Sequence, residues 1–85
     1  MDIKSVIAEH FNNLLTERDI TLIEPLSEAT VLLATGLDSL AFAIMVVQLE
    51  AVLGYDPFLL MEEPVYPRTY GELVEIYERF QDHRR

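Results

Sequence analysis

The sequence contains no cysteine, which excludes a disulfide framework, a thiolate metal site and a cysteine nucleophile, and which fits a reducing compartment such as the cytoplasm. It also has no lysine or arginine from Asp19 to Pro67, although Asp19, Glu24, Glu28, Asp38, Glu50, Asp56, Glu62 and Glu63 fall in that stretch. With a formal net charge of -9, such a segment repels nucleic acid and attracts a basic protein surface. Long apolar runs are missing as well. The most apolar stretch, Leu40 to Leu53, holds Gln48 and Glu50 and falls short of the roughly 20 residues that a membrane span needs. The opening residues MDIKSVIAEHF carry an acid at position 2 and alternate polar with apolar side chains, unlike a secretory signal. Glycine is scarce and nowhere forms a phosphate-binding loop. The only histidines, His10 and His83, form no His-x-x-x-His pair for a metal. As bases for a serine nucleophile they lack both a sheet to hold them and the glycine that a nucleophile elbow carries two residues after its serine. Neither a metal site nor catalysis is expected.

What is present is a chain of 85 residues, half of them hydrophobic and a quarter charged, enough for one domain with a small core. The expected fold is all-α, a single domain over 1–85 with 81–85 as a frayed tail. Ile3, Val6, Ile7, Phe11, Leu14 and Leu15 recur at steps of three and four, predicting a helix over about 2–17. Residues 18–35 show no sustained period and contain Pro25, which predicts a long connection with one short ordered turn. Its apolar residues, among them Ile20, Leu22, Leu26 and Leu32, require it to pack across the helices. A second helix begins at Asp38 or Ser39, both good caps, and stops at Gly54. Pro57, Pro64 and Pro67 limit any helix in 55–68 to a turn or two around Phe58 to Glu63. Thr69-Tyr70-Gly71-Glu72 reads as a capping box, opening a last helix with Tyr70, Leu73, Val74, Tyr77 and Phe80 on one stripe. The stripes nominate Phe11, Leu15, Val46, Leu49, Leu73 and Tyr77 for the core.

The plainest reading of Gly36-Leu37-Asp38-Ser39-Leu40 is a loop end and a helix cap. The same five residues, preceded by a long loop and followed by an apolar helix that ends in Leu53-Gly54, resemble the phosphopantetheine attachment motif of acyl carrier proteins. The helix before the loop and the closing Thr69-Tyr70-Gly71-Glu72-Leu73 helix are similar to that family in order and spacing, so the resemblance covers nearly the whole chain. It implies a carrier-protein bundle of three main helices with a short third element. It also implies that a phosphopantetheinyl transferase links Ser39 to the 4'-phosphopantetheine arm of coenzyme A, with Asp38 and Gly36 shaping the attachment site. An acyl group would then ride on the arm's thiol, which reconciles thiol chemistry with a chain that has no cysteine. A phosphate on the first turn of a helix also faces unpaired N–H groups and the positive end of the dipole.

Ala34-Thr35-Gly36 stands where the family commonly has Asp-Leu-Gly, and Ala41 and Ile44 occupy positions where it often carries acids. Pro64 and Pro67 lengthen the third element. These departures suggest a specialised carrier in a fatty-acid or lipid pathway. Peptidyl carriers share the arm but often have histidine where Asp38 stands, so an aminoacyl or peptidyl carrier remains an alternative, as does an unmodified helical interaction domain. Nearly every position of the second helix is apolar, more than a bundle buries. With Phe42, Ala43, Val46, Leu49 and Leu53 inward, Leu40, Ala41, Ile44 and Val47 face outward, and together with Leu37 they form the expected docking face. The expected partners are the transferase, a loading ligase or synthase, and acyltransferases with basic or apolar docking surfaces. The carrier itself is expected to be monomeric, with no nucleic-acid partner.

Overall fold

The computed structural model describes residues 2–63 and 65–84. In it the first apolar stripe becomes α1, Ile3–Glu17, with all six of its stripe residues buried. Two hydrogen bonds end this helix: the Ile20 N–H donates to the Leu15 carbonyl (2.8 Å) and the Asp19 N–H to the Thr16 carbonyl (3.1 Å). That is a Schellman closure, with Asp19 in the left-handed position (φ 55°) usually given to glycine. The reversal drops Ile20 back onto the core, where Leu22 and Leu26 also pack.

The long connection is then tied to a distant part of the chain. The Gly71 N–H donates to the Glu28 carbonyl (2.9 Å), Tyr70 N–H to Thr30 (2.8 Å), and Leu32 N–H to Arg68 (3.0 Å). Val31 and Thr69 form an isolated antiparallel bridge between them. The ordered turn expected in this region is a single 3-10 turn, Leu32–Thr35, closed by Gly36 in the left-handed conformation (φ 96°).

α2 runs Ser39–Leu53 and stops at Gly54, also left-handed. α3 is one turn, Pro57–Leu60, with Asp56 as its cap and proline at its first position. Its single turn is within the turn or two expected, but it starts one residue earlier, because Asp-Pro is itself a start signal. α4 is Tyr70–Arg79, capped by Thr69, whose hydroxyl accepts from the Glu72 N–H (3.2 Å). The reciprocal arm of the capping box lands one residue early, on the Arg68 N–H (3.0 Å). Gln81–His83, in the stretch expected to fray, forms a 3-10 turn.

Among the described residues the architecture is thus all-α, with four helices, of which α1 packs against both α2 and α4. All six nominated core residues are buried. Aromatic rings fill the far end: Tyr55 and Tyr77 lie 5.9 Å apart and Phe58 meets Tyr77 edge-on at 6.1 Å. The Tyr55 hydroxyl donates to the Tyr77 carbonyl, whereas the Tyr77 hydroxyl is buried with no hydrogen-bond partner among the described residues.

The expected phase of α2 needs correction. Its inward row is Ala41, Met45, Leu49 and Leu53, flanked by Val46 and preceded by buried Leu37 ahead of the cap, with Phe42 half-buried; Ala43 is exposed. Ala41 has no exposed surface, and Leu37 is only 7% exposed, so neither belongs to a docking face. The row advances by four residues per turn of 3.6, and in a helix apolar all round nothing in the sequence distinguishes it from its neighbours. Among the described residues no helix is long and apolar enough to cross a membrane.

Candidate functional site

The turn before α2 is built from short polar contacts. The Thr35 hydroxyl donates to the Leu32 carbonyl (2.6 Å) and accepts from the Leu37 N–H (3.3 Å). Gly36 then reverses the chain in a conformation that a side chain would resist. Leu37 plugs into the core, and Asp38 becomes the cap of α2, its Oδ1 accepting from the Ala41 N–H at 2.8 Å. Buried Leu37 and the bound Asp38 carboxylate together fix the direction in which the next residue points.

That residue is Ser39, the first of α2, and it is exposed. Its hydroxyl makes no hydrogen bond with the described residues, whereas Ser5 donates to Asp2. Because Asp38 satisfies Ala41, and the Phe42 N–H goes to the Asp38 carbonyl, the N–H groups of Ser39 and Leu40 find no acceptor among the described residues at the positive end of the helix.

Beside Ser39 opens a pocket of about 390 Å³, within the range of small-molecule sites. Phe11 and Leu14 of α1 form its inner side, Phe42 and Met45 of α2 one flank, and Val31 to Leu33 another. The segments Leu37 to Ser39 and Tyr66 to Arg68 supply the rest. The lining is overwhelmingly apolar; its charged or hydroxyl-bearing members besides the Tyr66 phenol are Asp38, Ser39 and Arg68, all exposed and therefore at the mouth. The sequence reading missed this pocket. Tyr66 and Arg68 lie in a proline-rich stretch far from Ser39 in sequence, and Val31 and Leu33 in a segment without period. The one available hint was that a loop carried so many apolar residues.

Of the expected docking residues, Leu40 (65% exposed), Ile44 (39%) and Val47 (66%) do face outward. The 3-10 turn does not cover them, and Leu33 is itself exposed. Ala43 extends the same face, and Val52 is exposed near the end of the helix on another side. His10 lies against its own helix, Nδ1 2.9 Å from the Val6 carbonyl, and His83 is exposed near Phe80. No group of three or more histidine, aspartate or glutamate side chains that could hold a metal occurs among the described residues. Burial raises the Tyr70 phenol pKa above its ordinary value, where the ring packs edge-on against Phe11 at 5.2 Å, so this side of the core holds a neutral phenol.

Comparison with protein-family models, with curated proteins and with solved structures finds no significant match to this chain.

Proposed function

We propose that this chain is an acyl carrier, modified on Ser39 by a 4'-phosphopantetheine arm. One observation carries the reading: an exposed hydroxyl without hydrogen bonds stands on the first residue of a helix, at the mouth of a ligand-sized apolar pocket. The residues present suit the group. The unpaired N–H groups of Ser39 and Leu40 and the helix dipole favour a phosphodiester there, worth about 0.3–1 kcal/mol for an exposed anion. Arg68 is a cation at the same mouth. In the attachment step the Ser39 oxygen forms a bond to the pantetheine-bearing phosphorus of coenzyme A. The pyrophosphate bond breaks, adenosine bisphosphate leaves, and the serine proton passes to a base of the transferase.

When bound, the arm supplies a thiol that carries the cargo as a thioester. The chain's own contribution is placement. Leu37 anchors the turn, Asp38 holds the first turn of α2, and Phe11, Leu14, Phe42 and Met45 offer an apolar refuge. An aminoacyl group would bring an ammonium to that lining, so the pocket favours an acyl cargo over an aminoacyl or peptidyl one. Expected partners are a transferase, an acyl-loading ligase or synthase, and acyltransferases. The exposed Leu40, Ile44 and Val47 support the second reading, an unmodified helical interaction domain.

Intact mass after incubation with coenzyme A and a broad-specificity transferase separates the two. The wild-type chain should gain one arm, and Ser39→Ala, equally folded, none. No gain on wild type, or a gain on Ser39→Ala, would refute the carrier reading.

A further inference from the structure

The pocket's outer side rests on one ring. Tyr66 is 68% exposed, yet its ring lies tilted against Phe42 at a centroid distance of 5.2 Å and an angle of 44°. Phe42 is braced in turn by Phe58, edge-on at 5.8 Å, and Phe58 by the buried Tyr77. The backbone just beyond Tyr66 is pinned: Pro67 is buried, the Arg68 carbonyl accepts from Leu32, and Thr69 pairs with Val31. Tyr66 therefore has a fixed base and a fixed neighbour, with one side of its ring toward the pocket wall and the rest toward water. An exposed aromatic held this way does little for the core, because most of its surface stays hydrated.

We infer that Tyr66, held against Phe42, is the specificity-determining residue of the pocket, limiting the cargo to slender, unbranched aliphatic chains. The inference rests on the carrier reading and deepens it. Phe11, Phe42 and Tyr66 present aromatic rings to one apolar cavity, and close-packed interiors do not widen at low cost. A methylene chain can thread between rings that a branched or ring-bearing group would have to displace. The α1 side cannot yield, because Phe11 and Leu14 belong to the core. The Tyr66 side is an exposed ring seated on Phe42, so its residue can be changed without emptying the core. Selectivity is therefore set where the wall is thinnest.

The absence of cysteine makes the test direct. Ser39→Cys introduces a single thiol at the pocket mouth, which methyl, n-octyl or diphenylmethyl methanethiosulfonate labels without any arm or transferase. Relative to the methyl label, n-octyl should raise Tm by several degrees and diphenylmethyl should not. Adding Tyr66→Ala should let diphenylmethyl raise Tm and should shrink the octyl gain. Tyr66→Phe should behave as the parent, since the ring and not its hydroxyl forms the wall. An octyl label without effect, or a preference unchanged in Tyr66→Ala, would overturn the inference. So would failure of Tyr66→Ala to fold, which would make the ring part of the core. Because the labels bypass the arm, this result and the mass measurement on Ser39 can fail independently.

Discussion

α2 and α4 solve the same packing problem in opposite ways. α4 separates its faces: Tyr70, Leu73, Val74, Ile76 and Tyr77 are buried, while Glu72, Glu75 and Arg79 face water, the last two as an ion pair at 3.2 Å. α2 has no such division. It buries Ala41, Met45, Val46, Leu49 and Leu53 and leaves Leu40, Ala43, Ile44, Val47 and Val52 outside. A helix that needed only to fold would have polar residues at those outer places. α4 is held by individual fitted contacts, whereas α2 carries apolar surface beyond what the core uses, next to Ser39.

The largest effect should come from placing the same charge on the two faces of α2. Ala41→Glu buries a carboxylate with no partner, a cost of several kcal/mol against a total of about 5–15 kcal/mol for a typical domain. Thermal melts should show little or no folded protein. Ile44→Glu and Val47→Glu should keep the wild-type melting curve within about 1 kcal/mol. Under the carrier function proposed above, both should slow acyl loading, read by mass spectrometry. Normal loading would remove the docking role of this face, and collapse of either outer variant would erase the contrast with α4.

A smaller effect tests the start of α4. A Cβ on Gly71 would lie 2.8 Å from the Glu28 Cβ and 2.9 Å from its carbonyl oxygen. Gly71→Ala should therefore cost about 1–3 kcal/mol, as overpacking does, although alanine is the better helix former. A stabilised variant, by chemical denaturation, would show that the ladder at Glu28 gives way easily.

The smallest effect concerns the other end of α4. Burial, with Asp56, Tyr55 and Glu50 adding to it, raises the Tyr77 pKa far above its ordinary value of 10.0. The folded state therefore favours the neutral phenol. Its contribution to stability is complete below about pH 10 and is lost as pH rises beyond the unfolded value. Tyr77→Phe should flatten that alkaline loss. At neutral pH it should leave stability unchanged or raise it by up to about 1 kcal/mol, since the hydroxyl it removes is buried and unpaired. A loss at neutral pH would point to a partner for that hydroxyl.

The contrast between the helices also explains what the sequence reveals. α1 and α4 carry polar residues on their outer faces, so period alone gives both their existence and their phase. The start of α2 is equally legible, because Asp38 and Ser39 mark a cap and Gly54 a stop. Its phase is not, since a helix apolar on every side offers no pattern, and Ala41 and Ala43 exchange places for that reason. The pocket is least legible. Its walls come from α1, the long connection, α2 and residues 66–68, brought together by backbone bonds between Glu28–Leu32 and Arg68–Gly71 that leave no trace in residue type beyond Gly71 itself.

That ladder has a consequence for the order in which the molecule assembles. The connection before α2 is fastened to residues at the start of α4, so the two segments bounding the pocket close a loop that contains all of α2 and α3. Closing so long a loop carries an entropy cost before its contacts repay it. α1 and α2 can each form early from local signals, but the pocket beside Ser39 exists only once residues near Gly71 have been synthesised and docked. In a nascent chain Ser39 is thus made before the pocket beside it can close, and under the carrier function proposed above that closure is the one that would ready the chain for a cargo.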